Sequence, residues 1–368
     1  MVGIALNTLL MIVVAIAIPG VINRTRATLA GRKGLPFVQH LRNVRLLLRK
    51  GSVYSTTTTA LFRIAPAVYL GAAIVAMLFM PVADLYPLIS FEGDVICFAY
   101  TLALARVAII LAAMDTGSSF EGMGAAREAL YGALIEPALM IGFATLAMFC
   151  GYTSFADIFA HEQSFNAQIT IVMFLIAYLF ITIAFVESGR VPVDDPRTHL
   201  ELTMIHEVMC LDYSGIDMGM IHIAGWLKTA CFSMIAANAI AATCCFHWWF
   251  AVPLAILLTG ISVGIGVPAS WTYISESSES NNRGRNICIS QMSWGFGPMI
   301  ILLLGMFFAP GGYLFGWVES IGHLIGGKEL AGDALNVFSS RVVFFSLFVV
   351  AFIAWNMQRK LEESKEWT

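Results

Sequence analysis

Apolar residues fall along this chain in long blocks, not in the alternation of a half-buried strand or the one-sided stripe of a soluble helix. The blocks lie near 3–22, 64–83, 95–114, 129–151, 168–187, 221–245, 249–273, 292–309 and 341–357. A helix crossing a hydrocarbon core of about 30 Å needs roughly 20 such residues, and these blocks reach or approach that length. They predict an all-α polytopic membrane protein with 8–9 transmembrane helices. Eight helices fall within residues 1–309 as one membrane domain, and 310–368 add an outer loop and a ninth helix. No internal repeat relates one half to the other, which counts against a transporter built from inverted repeats.

Composition agrees with the pattern. Charged residues make up 12% of the chain, about half the share in soluble domains, and the mean hydropathy is +0.79. A net charge of −3 gives no reason to expect nucleic acid as a partner. The seven cysteines are scattered, mostly within apolar runs, without a C-x-x-C pair. That spacing fits small buried hydrophobes and predicts neither a disulfide framework nor an iron–sulfur cluster held by this chain alone. The first apolar block precedes its basic cluster, the reverse of a signal peptide, and is expected to stay as a helix.

Lysine and arginine placement sets the expected orientation. The loop 23–58 carries Arg24, Arg26, Arg32, Lys33, Arg42, Arg45, Arg49 and Lys50. Threading the helices alternately puts it on the same side as the loops 115–128, 188–220 and 274–291 and the C-terminal tail, with Arg127, Arg190, Arg197, Arg283, Arg285, Arg359, Lys360 and Lys365. The opposite loops hold only Lys328 and Arg341 among basic residues. The basic side is therefore read as cytoplasmic and the N-terminus as outside, in the inner membrane of a prokaryote.

Charges inside the apolar blocks are the first chemical signal. Arg106, Glu136 and Lys228 sit at membrane depth, where each costs roughly 2.5–3.5 kcal/mol unless it faces a polar interior. Lys228 is near enough to an end to snorkel instead.

The second signal is ESGRVPVDDPRTHLELTMIHEVMCLDYS, residues 187–214. Glu187 and Arg190 close a membrane helix, and the prolines of VPVDDP turn the chain. Asp195 and Pro196 read as N-cap and first position of a short amphipathic cytoplasmic helix that runs to the turn at YSG. On it Asp195, His199 and His206 share one face, and Glu201 and Asp212 another. Three readings stay open from the residues alone. One is a zinc site using His199, His206 and Cys210, since HEVMC is half of an H-E-x-x-H motif. Another is a solvated charged loop. The third is a proton-relay entrance, in which clustered carboxylates and histidines pass protons inward.

MDTGSSFEGMGAAREALYGALIEP, residues 114–137, favours the third. Asp115, Glu121, Glu128 and Glu136 run from the loop into the fourth block, and Glu128 and Glu136 are about 12 Å apart along a helix, on nearly one face. A favourable helix dipole explains Glu128 but not Glu136.

With these stretches, GRKGLPFVQHLRNVRLLLRKG (31–51), LALARVAII (102–110) and the lysine of GWLKTACF, the chain resembles the subunit 1 family of respiratory complex I. It is more similar to the branch found in group 4 energy-converting nickel–iron hydrogenases and formate hydrogenlyase. The resemblance implies a non-catalytic membrane anchor on which a cytoplasmic arm docks, with an iron–sulfur subunit and a hydrogenase-like large subunit above and antiporter-like membrane subunits beside it. Iron–sulfur and nickel–iron centres would belong to those partners, with no cofactor bound by this chain alone. It implies a proton path through Asp115, Glu121, Glu128, Glu136, Glu187, Asp194, Glu201, Glu207 and Asp212, with Arg106 and Lys228. Arg190, His199, His206 and Tyr213 would shape the loop and a quinone-like cavity, and Arg32, Lys33, Arg42, Arg45, Arg49 and Lys50 would dock the arm.

Where complex I has P-F-D-L-x-E-A-E-x-E-L, this chain has VPVDDPRTHLEL, so acids are displaced and histidines enter. The quinone-site subunit of a complex I-like oxidoreductase is therefore the alternative. A stand-alone secondary ion transporter is a second one, from a different class.

Overall fold

The computed structural model describes residues 2–29, 34–160, 167–187, 205–244 and 250–257. They contain no strand and nine helices with described bounds: α1 Val2–Leu29, α2 Gln39–Leu47, α3 Ala60–Leu78, α4 Asp94–Asp115, α5 Ser119–Cys150, α6 Phe155–Ala160, α7 Ala167–Glu187, α8 His206–Met209 and α9 Gly215–Cys244; residues 250–257 are helical as well. Among the described residues, five segments are long and apolar enough to cross a membrane: Val2–Thr25, Ala60–Leu78, Asp94–Asp115, Ser119–Cys150 and Gly215–Ala242. Within α7, Val172–Glu187 adds a shorter apolar stretch. The expected spans near 292–309 and 341–357, and most of 249–273, lie outside the described residues.

α9 is the most buried of the five spans and packs against α1, α3 and α7, while α3, α4 and α5 pack in succession. The core is made of small and aliphatic residues with one aromatic cluster. Phe98 of α4 contacts Phe143 of α5, Phe155 of α6 and Phe232 of α9 edge-on, with ring centroids 5.4–6.1 Å apart. Phe180 of α7 meets Phe143 at 5.2 Å.

α5 differs from the expected loop-then-helix. Its 32 residues span roughly 48 Å, longer than a hydrocarbon core. Glu121 and Glu128 are thus helical residues rather than members of a loop. Residues 79–83, just after α3, are irregular and buried, which an apolar bundle tolerates only where backbone groups find partners. Two buried amides supply them. Asn7 of α1 donates to the Met80 carbonyl and accepts from the Val82 N–H, and Asn238 of α9 donates to the Pro81 carbonyl and accepts from the Ala83 N–H.

α2 lies beside α1 and α9 with Val44 buried and Leu41, Leu46, Arg42 and Arg45 exposed. Only the end of the expected cytoplasmic helix falls within the described residues. There the helix is four residues long, His206–Met209, and turns at 210–212, ahead of YSG. The turn is fastened to the loop after α2: the Val53 N–H donates to Ser214 Oγ, and a Cβ on Gly215 would collide with the Gly51 carbonyl oxygen.

Candidate functional site: a buried ionic core

Arg106 sits midway along α4 and is 6% exposed. Its three guanidinium nitrogens each face a different carboxylate. Nε is 3.3 Å from Glu128 Oε1, Nη1 donates to Glu136 Oε1 at 2.7 Å, and Nη2 contacts Glu187 Oε1. The planar fork of arginine suits this role, which a single ammonium could not fill. Glu128 and Glu136 come from α5, two turns apart, and Glu187 ends α7. Lys228 of α9 closes the arrangement, its Nζ 2.7 Å from Glu187 Oε2 and 5.1 Å from the centre of the Tyr69 ring. Lys228 is 1% exposed and does not snorkel. Two fixed cations thus face three carboxylates, an excess of one negative charge.

Gly132 makes this geometry accessible. It lies between the two α5 glutamates, and a Cβ there would stand 2.9 Å from both Cδ and Nη1 of Arg106. The guanidinium crosses α5 where there is no side chain. The only hint of this in the sequence is a glycine inside the helical run YGALIEP.

The core is sealed on one side and approached on the other. Phe98 lies two turns before Arg106, Phe143 two turns after Glu136, Phe180 two turns before Glu187, and Phe232 one turn after Lys228, so rings cover the end toward Asp94. At the opposite end a cavity of about 280 Å³ opens between α1, α2, α8 and α9. Its wall includes His40, Tyr69, Glu187, His206, Glu207 and Trp226. His206 Nε2 is 3.6 Å from Glu128 Oε2, so its ring stands between the cavity and the core. Glu136 is 50% exposed on the flank of α5.

The other expected residues fall in a second tier. Glu121 is fully buried and accepts from the Asp212 N–H, tying α5 to the turn after α8; the Asp212 and Glu207 side chains are exposed. Asp115 is bound up in the start of α3, accepting from the Thr59 N–H at 2.7 Å and its hydroxyl at 2.9 Å. Tyr213 does not line the cavity. Its ring stacks on Phe62 at 4.0 Å, its hydroxyl donates to the Phe62 carbonyl, and burial raises its pKa. Burial, and then the charges of Glu121, Glu207 and Glu128, push the Cys210 thiol up to about 12, so it stays protonated at neutral pH. Arg42, Arg45, Arg49 and Lys50 are exposed at the basic end. Arg32, Lys33, Arg190, Asp194, His199 and Glu201 lie outside the described residues. Sequence reasoning missed Gly132, Tyr69, His40, Trp226 and the two bracing asparagines.

Apolar spans around a buried network of ionisable groups define a multi-pass membrane protein with a charged interior. Residues 2–274 match the NADH dehydrogenase family, and the chain belongs to it. Among curated relatives, hydrogenase-4 component C of Escherichia coli (strain K12) is 29% identical over 277 residues, covering 75% of this chain and 85% of the relative. Formate hydrogenlyase subunit 4 of the same strain is 31% identical over 216 residues, covering 58% of this chain and 69% of the relative. The fold matches a chain of the membrane-bound sulfane sulfur reductase, an archaeal respiratory membrane complex. The TM-score is 0.60 at 20% identity, covering 82% of this chain and 99% of the other.

Proposed function

We propose that this chain is the membrane anchor and proton-coupling subunit of a redox-driven ion pump of the energy-converting hydrogenase and complex I superfamily. The observation that carries the reading is Arg106 holding Glu128, Glu136 and Glu187 together at membrane depth, with Lys228 on the last of them. Such a core is costly to bury, and a purely structural anchor has no need of it. Coupled carboxylates in a low-dielectric interior change protonation when a neighbouring charge changes, which is what coupling requires.

In this reading the basic end faces the cytoplasm of a prokaryote and the N-terminus lies outside. Arg42, Arg45, Arg49 and Lys50, with Arg32 and Lys33, receive an iron–sulfur subunit and a hydrogenase-like large subunit. Protons enter from the loop 187–214, including Asp194 and Glu201, and leave sideways at Glu136 toward antiporter-like subunits. The family resemblance and the relatives' descriptions as hydrogenase and hydrogenlyase subunits support these partners. Purification under mild detergent tests the assignment. Iron–sulfur and antiporter-like subunits should co-purify with the chain, and isolation alone as a homo-oligomer would favour a transporter.

A quinone-site subunit is the second reading. It is favoured by the cavity of about 280 Å³, whose wall joins the aromatic Tyr69 and Trp226 to His40 and His206. Competition by short-chain quinones for turnover of the purified complex would distinguish it.

A further inference from the structure

His206 stands where the cavity and the ionic core meet, and what surrounds it gives it a specific task. The two oxygens of Glu187 are engaged by fixed cations, Oε1 by Arg106 and Oε2 by Lys228. Glu128 is different. Arg106 Nε faces its Oε1, while its Oε2 looks toward His206 Nε2 at 3.6 Å. The Glu128 side chain is 9% exposed and is not part of the cavity wall, whereas His206 is 25% exposed and is part of it. Water in the cavity therefore meets the imidazole before the carboxylate.

We propose that His206 is the proton-carrying group between the cavity and Glu128, an inference that rests on the proton-coupling reading above. A hydronium in the cavity gives its proton to a ring nitrogen of His206 and becomes water. The imidazolium supplies the positive charge by which the core's carboxylates outnumber its fixed cations. The Nε2–H bond then breaks as Glu128 Oε2–H forms, after a small ring rotation or through one bridging water, since 3.6 Å exceeds a hydrogen bond. The neutral ring returns to its starting tautomer by exchange with cavity water. Glu128 then shares Arg106 with Glu136, which passes the charge change to the flank of α5.

Other ionisable groups share the cavity with the ring. Glu187, Glu207, His40 and His222 line the same cavity from α7, α8, α2 and α9. Arg106 of α4 and Lys228 of α9 face it from behind the carboxylates.

The test uses the complete complex in liposomes, measuring proton translocation and redox turnover together. His206→Ala is expected to lower the pumping rate at least tenfold and to regain activity with added imidazole. Wild-type pumping in His206→Ala overturns the relay. If His206→Ala does not assemble, His206→Gln takes its place: it is non-titrating, the same loss is expected, and wild-type pumping again overturns the relay. Glu128→Gln separates the relay from the coupling reading beneath it. If it fails to pump while the His206 variants pump normally, only the relay is wrong. If it too pumps fully, the coupling reading itself fails.

Discussion

Lys228 Nζ lies 2.7 Å from Glu187 Oε2, joining the middle of α9 to the last residue of α7 with both side chains almost wholly buried. The contact makes Glu187 the hinge of the network, since its other oxygen meets Arg106. Removing one partner of such a pair leaves an uncompensated charge, which costs about 3–5 kcal/mol. Lys228→Met should therefore lower the thermal midpoint of the detergent-solubilised complex well below that of wild type. Lys228→Met combined with Glu187→Gln should recover part of the loss, because the stranded charge is gone. A double-mutant cycle on the unfolding midpoint checks both.

Gly132→Ala places a methyl group against the Arg106 guanidinium, which three carboxylates pin in place. Overpacking of this kind costs about 1–3 kcal/mol. The expected result is a moderate loss of stability with a much larger loss of proton translocation, because the fork must move off at least one carboxylate. Comparison with Gly122→Ala, where a Cβ meets nothing within 4 Å, controls for the helix itself.

Asn238→Leu is nearly isosteric but strips partners from the Pro81 carbonyl and the Ala83 N–H in a buried, non-helical turn. Each unsatisfied group costs about 1–3 kcal/mol. The variant should unfold or lose assembly at a temperature several degrees below wild type, measured by fluorescence-detected size exclusion after heating.

Cys210 gives a pH test with a definite sign. Its thiol is raised from 9.0 to about 12, with burial the largest cause. Between these values the unfolded chain releases the proton and the folded chain keeps it. The stability this group contributes is thus complete below about pH 9 and lost as pH rises toward 12. Alkylation at pH 8.5 should spare Cys210 in the folded complex and label it after denaturation, read by mass spectrometry of its peptide.

The sequence exposed what is expensive and concealed what is merely near. Arg106, Glu136 and Lys228 stand out because charge inside an apolar block demands a partner. Their partners do not: Arg106 and Glu136 are 30 residues apart, and only the packing of α4 on α5 brings them together. Hydropathy assigns Glu121 and Glu128 to a loop because the first turns of α5 are polar, although they are helical. Asn7 and Asn238 are lone polar residues in apolar runs, with no pattern to show that they brace the same turn. The spacing predicts one helix reaching YSG, but Cys210–Asp212 turn earlier to lay the Asp212 N–H on Glu121.

Glu136 offers the most direct test of the central claim, because it alone of the core carboxylates is half exposed on the flank of the bundle. The measurement is proton translocation per electron transferred by the whole complex in sealed liposomes, comparing wild type with Glu136→Gln. Glutamine keeps the hydrogen-bond acceptor toward Arg106 and removes the titrating group, so assembly should persist. Proton coupling through this core predicts continued redox turnover with proton translocation abolished. Full translocation by the assembled Glu136→Gln complex would contradict it.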